Sequence, residues 1–204
     1  MQVTRLLDRP IIGPQAHPSI GSNIQGPSLI RIPDWVPHKL GNYYLYFADH
    51  KGTYIRLAFA DALTGPWQIH PPGSLALAES QFAVLPPEPA PGAERPDTIV
   101  DEGTATRSHS AHLEASTPHI ASPDAHVDHE RRRIVMYYHG LESYGVQLTR
   151  VAVSEDGVRF TALAPTLGRT YFRTWAYGPY TYALAMPGQI YRSRDGLGDF
   201  EAGP

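Results

Sequence analysis

Proline is spread through this chain too evenly for long helices. With 20 prolines and 18 glycines in 204 residues, no window of about 11 residues carries a clean apolar stripe at helical spacing without one of them inside it. Proline is excluded from helix interiors and from central strand positions, so short strands joined by frequent turns are expected. The 12 tyrosines fit the same picture, because aromatic side chains suit a pleated, half-buried surface. The chain therefore reads as all-β.

Within that class the strand-like runs come in sets. After an irregular arm at 1–22, in which Leu6, Leu7, Ile11 and Ile12 are expected to pack on a neighbouring surface, a meander runs over 23–70. Its clearest strand is Tyr43-Tyr44-Leu45-Tyr46-Phe47-Ala48, and it closes through Thr64-Gly65-Pro66-Trp67. Residues 71–117 are rich in proline and poor in large apolar side chains, and read as a long loop excursion. A second meander follows over 118–165 and a third, shorter one over 166–204. The best internal match sets Ser154-Glu155-Asp156-Gly157-Val158-Arg159-Phe160 against Ser193-Arg194-Asp195-Gly196-Leu197-Gly198-Asp199-Phe200. Both place Asp-Gly in the last hairpin with an aromatic residue shortly after it. Three successive four-stranded meanders predict a partial, three-blade β-propeller, with a β-sandwich as the alternative for strands of this kind.

Charge and composition narrow the function. Lys plus Arg number 17 against 20 Asp plus Glu, a net charge of -3, so no broad basic field is offered to nucleic acid or to an anionic membrane. Neither a leader-like apolar core nor a run of about 18 apolar residues occurs, which leaves the cytoplasm as the expected location. There are no cysteines, which rules out disulfides and thiolate metal sites.

The segment richest in proton-binding groups is Ser122-Pro123-Asp124-Ala125-His126-Val127-Asp128, ahead of the strand Ile134-Val135-Met136-Tyr137-Tyr138 and then His139-Gly140. Together with Gly26-Pro27-Ser28-Leu29-Ile30-Arg31 and Thr64-Gly65-Pro66-Trp67, it resembles the five-bladed propeller glycosidases, the arabinanase, β-xylosidase (glycoside hydrolase family 43-like) and invertase superfamily. The likeness covers about residues 23–204. It implies that Asp124 matches the Asp that tunes the catalytic acid. Glu201 is the candidate acid if Glu201-Ala202-Gly203-Pro204 stands for the family's Glu-Gly-Pro; the blade count instead sets the acid position before the strand Tyr171 to Trp175, where no acid stands, and makes Glu201 a rim residue, the favoured reading. The base position departs from the pattern: where the family has Asp-Pro-Ser, this chain has Gly26-Pro27-Ser28. On this reading an axial pocket accepts a carbohydrate ligand, lined by Asn23, Gln25, His50, His126, His139 and Arg173 beside Asp124. Arg169 and Arg173 could instead hold an anionic sugar or a phosphate. No cofactor is expected beyond a central cation, for which His50, His126, His129 and His139 are the candidate ligands. The resemblance also predicts a portion of a longer propeller, with blades missing at its C-terminal side or with self-association. Two function classes stay open: a glycoside hydrolase-like enzyme, and a non-catalytic propeller that binds a glycan or a protein.

Overall fold

The computed structural model describes residues 2–91, 99–101 and 108–203. Three antiparallel meanders dominate it. The first sheet holds β1 (Gln25–Arg31), β2 (Tyr43–Ala48), β3 (Tyr54–Ala60) and β4 (Gln68–Ala76), in that order. The connection onward contains the short ribbon of β5 (Ile99–Asp101) with β6 (Ser108–Ser110) and the helix α1 (Ala111–Ser116). The second sheet holds β7 (Ile120–Asp128), β8 (Arg133–Ser143), β9 (Val146–Ser154) and β10 (Thr161–Ala162), with β11 (Gly168–Arg169) also pairing on β9. The third holds β12 (Arg173–Tyr177), β13 (Tyr180–Ala185), β14 (Gln189–Ser193) and β15 (Glu201–Ala202). Among the described residues no helix is long and apolar enough to cross a membrane.

The first strands of the sheets adjoin one another, which is what makes the arrangement radial. Ser28 Oγ on β1 accepts from the Ala125 backbone N–H on β7 at 2.9 Å. Arg173, which opens β12, donates to the Ser122 carbonyl at 3.3 Å. The molecule is an all-β, three-blade partial propeller.

Burial follows from how many faces of each sheet are covered. The second sheet lies between the other two, so β8 is buried along most of its length and reads as a continuous apolar run. Its even-numbered Ile134, Met136 and Tyr138 pack with Tyr44, Tyr46 and Leu57 of the first sheet. Its odd-numbered Val135 and Tyr137 pack with Phe172, Ala183 and Tyr191 of the third. The third sheet is covered on one face, and its strands accordingly alternate between buried and exposed positions.

The same latch joins each sheet to the next. Tyr46 Oη donates to the Gly157 carbonyl and Tyr137 Oη to the Gly196 carbonyl, both at 2.7 Å. Phe160 meets the Tyr46 ring edge-on at 5.6 Å, and Phe200 meets the Tyr137 ring edge-on at 6.3 Å. Each receiving turn is built alike: Ser154 Oγ accepts the Gly157 N–H, and Ser193 Oγ the Gly196 N–H. The two glycines sit at φ 72° and 70°, a left-handed backbone that favours glycine.

Two expectations change. The segment 71–117 is not a plain loop, because β4 runs on through Pro71, Pro72 and Gly73 to Ala76 and α1 follows the ribbon; its parts at 92–98 and 102–107 lie outside the described residues. β4 is an edge strand, where missing proline N–H groups break no ladder bond. In the N-terminal arm, Ile12 packs as expected, against a cluster of Leu45, Phe47 and Ala58 in which Ile20 carries the burial, while Leu6 and Ile11 are exposed.

Candidate functional site

Asp124 is delivered by an irregularity in β7. The pairing with β8 shifts register between Ala121 and Asp124, and Ser122 adopts φ 52°, so the strand is re-aimed immediately before the carboxylate. One oxygen of Asp124 then collects three donors. His126 Nε2 lies 2.8 Å from Oδ2, the Thr174 backbone N–H 2.9 Å and the Thr174 hydroxyl 3.0 Å. Thr174 Oγ1 also stands 2.8 Å from His126 Nε2. The triangle closes if the Nε2 proton points between the two oxygens and the threonine hydroxyl donates to Oδ2. Burial pushes the Asp124 carboxyl up, but the hydrogen bond and charge of His126 and the two Thr174 donors outweigh it and hold it below the usual carboxylate range. Asp124 is thus an ionised acceptor, and among the described residues no donor reaches its Oδ1.

A second group gathers at the starts of the first strands. Asn23 Oδ1 accepts from the His50 N–H at 3.2 Å and from Gln25 Nε2 at 3.4 Å. Arg56, ion-paired with Asp49 at 3.3 Å, anchors the Asn23 carbonyl with a 2.6 Å hydrogen bond. Lys51 Nζ pairs with Glu114 Oε1 at 2.7 Å, while His50 Nε2 stands 3.6 Å from the same oxygen. His139 is 3% exposed, with its ring edge-on to Tyr171 at 4.4 Å and to His119 at 5.6 Å. Burial first, then the nearby His119, His50, Lys51 and Arg173, hold His139 well below the usual imidazole range. His119 is lowered chiefly by burial too, and its Nδ1 lies 2.8 Å from the Thr117 carbonyl.

The structure brings Asn23, Gln25 and His50 together, links His50, His139 and Arg173 electrostatically, and joins Asp124 to His126. It does not bring Glu201 to them. Glu201 lies on β15, the outermost strand of the third sheet, 72% exposed at its side chain and paired with Arg192 at 3.4 Å. Nor do the four candidate cation ligands form one set. His126 Nε2 is committed to Asp124 and Thr174, and His129 sits in the turn between β7 and β8. Among the described residues no group of three or more His, Asp or Glu could hold a metal ion. Sequence reasoning missed Thr174, Lys51, Glu114 and His119. Thr174 had one signal, its place directly after Arg173 in the third first strand; Glu114 had none.

No protein-family model matches the chain. An uncharacterised protein of Acanthamoeba polyphaga mimivirus is 30% identical over 192 residues, which is 89% of this chain and 47% of that protein. Among solved structures, an exo-β-1,3-galactanase from Phanerochaete chrysosporium with β-1,3-galactotriose superposes with a TM-score of 0.52 at 13% identity, over 89% of this chain and 38% of that one. The fold is like that of part of a family 43 glycoside hydrolase propeller. An exo-β-1,3-galactanase from Clostridium thermocellum gives a TM-score of 0.51 at 14% identity, over 89% of this chain and 37% of that one. An α-L-arabinofuranosidase from the same organism gives 0.50 at 16%, over 89% and 51%. The chain thus spans about half the length, or less, of these proteins.

Proposed function

We propose that the protein binds a glycoside at the axial end of its first strands, with Asp124 as the polar anchor. The observation that carries this reading is the three-donor clamp on Asp124 Oδ2. It fixes the carboxylate while leaving Oδ1 to accept a hydrogen bond from a sugar hydroxyl. Asn23 and Gln25, at the opening of β1, supply amide donors and acceptors of the kind that read hydroxyl groups. The shared fold supports the same reading, since a galactanase of this fold holds β-1,3-galactotriose.

A second reading, hydrolysis, needs a proton donor and a base or nucleophile flanking the scissile bond. Asp124 is ionised and fully engaged on one oxygen, which suits it to orient or tune a partner rather than to give up a proton. β1 and β12 carry no carboxylate, and Glu201 lies on an edge strand. The geometry of this chain therefore favours binding over turnover. Titration calorimetry with galacto-, xylo- and arabino-oligosaccharides tests it. At least one series is expected to bind, and Asp124→Ala to weaken that binding by about 10- to 100-fold, as expected for losing a hydrogen bond to a charged acceptor. Affinity unchanged in Asp124→Ala would remove the anchor from the proposal. Release of reducing sugar from aryl glycosides that is lost in Asp124→Ala would favour the hydrolytic reading instead.

A further inference from the structure

Of the two permanent cations that act on His139, Lys51 and Arg173, only one is ion-paired among the described residues. Lys51 is neutralised by Glu114 at 2.7 Å, but among the described residues Arg173 meets only backbone: its Nη1 donates to the carbonyls of Ser122 at 3.3 Å and Phe172 at 3.0 Å. Among the described residues no carboxylate pairs with it. The nearby acid on β7, Asp124, gives its Oδ2 to His126 and Thr174 rather than to Arg173. Arg173 therefore offers its remaining N–H groups, in a fixed planar fork, from the opening of β12. Nearby, His139 is buried with an Nδ1 that finds no hydrogen-bond partner among the described residues. Burial first, and then His119, His50, Lys51 and Arg173, disfavour its protonated form. Room exists alongside: a groove of about 720 Å³, lined by Gln147, Arg169, Thr170 and Tyr171 among others, meets this group at Tyr171, whose ring contacts His139.

We infer that the sugar taken by this site is anionic, its negative substituent held by the Arg173 fork. The inference rests on the glycoside-binding reading above and narrows it to acidic glycans. A uronate carboxylate and a sulfate ester share the required chemistry of a small, multidentate oxyanion.

Matched ligand pairs separate the inference from its parent. Calorimetry would compare galactotriose with trigalacturonate and with a sulfated galactotriose, and xylotriose with the same backbone bearing glucuronate. At low salt the acidic member of at least one pair is expected to bind about 10-fold more tightly or better, with the ratio shrinking as salt is raised. The uronate and sulfate arms show which oxyanion is preferred. Arg173→Gln is expected to collapse the acidic-to-neutral ratio towards one, and Arg173→Lys, which keeps the charge but not the fork, to preserve a salt-sensitive part of it. Equal or tighter binding of the neutral members would overturn the inference and leave glycoside binding standing. Failure of every sugar, neutral and acidic, would bring down both. A ratio in Arg173→Gln equal to that of the unaltered protein would overturn the assignment to Arg173.

Discussion

His139 and Asp124 make opposite demands on their surroundings, and the two act in different pH windows. His139 has a folded pKa depressed by burial and by its cationic neighbours, while its unfolded value is about 6.5. As pH falls through that value the unfolded chain takes up the proton first, so stability is full above it and declines below it, by up to about 1.4 kcal/mol per pH unit. Asp124 also has a depressed folded pKa, because its hydrogen-bond donors outweigh its burial. Its contribution is full above the unfolded carboxylate value of about 3.9 and disappears as pH falls through the folded value. Urea unfolding at a series of pH values is expected to show His139→Asn flattening the loss between about pH 6.5 and 5, and Asp124→Asn flattening it only below about pH 4. An unaltered slope from pH 6.5 to 5 in His139→Asn would show that its imidazole is not held neutral.

At the scale of elements, the repeated unit is a tyrosine on the second strand of one sheet and an Asp-Gly turn in the next. Tyr46→Phe and Tyr137→Phe each remove one buried hydroxyl donor from a glycine carbonyl while keeping the ring. Each is expected to cost about 1 kcal/mol, measured by thermal or urea melts. Gly157→Ala should cost more than either, since its φ of 72° disfavours a side chain and the new Cβ would come within 2.7 Å of Ile134 Cδ1. If Gly157→Ala proved harmless, the turn would not be fixed by the latch. These turns were legible in the sequence because their determinants are local: Ser-x-Asp-Gly bonds to itself over four residues. The extension of β4 was not, because Pro71-Pro72-Gly73 carries loop chemistry and only its place at the sheet edge lets it pair. The candidate site divides in the same way. Asp124 and Arg173 could be picked out from their own strands, but the bonds from Thr174 to Asp124 span 50 residues and depend on how two sheets meet. Glu201 looked like an acid by local motif, and its pairing with Arg192 on the edge of the third sheet removed it from the site.

For the whole molecule, the two ends of the row of sheets are unlike. The outward face of the first sheet is closed by the N-terminal arm, where Ile20, fully buried, packs with Leu45 and Phe47. The outward face of the third sheet is open and aromatic. Cross-strand pairing places Trp175 beside Tyr182, Tyr177 beside Tyr180 and Arg173 beside Leu184 on one side. Trp175 lies stacked on Tyr182 at 5.6 Å and is 44% exposed, and Tyr177 is 73% exposed. A contiguous apolar face of this kind is costly in water and tends to be covered. Because the arm already occupies the corresponding face of the first sheet, copies of this chain are not expected to stack end to end. For residues 1–204 taken alone, one open face set against another about a two-fold axis gives the cover that further sheets would give in a longer chain, and closes at a dimer. Sedimentation velocity over a range of concentrations is expected to show a monomer–dimer equilibrium for the chain, shifted to monomer by Trp175→Glu combined with Tyr177→Glu, which charge the exposed face but leave the buried Ala183, Ala185 and Tyr191 untouched. A strictly monomeric chain at high concentration would mean that this face tolerates water as it stands. Larger, open-ended species would mean that the arm does not close the first sheet.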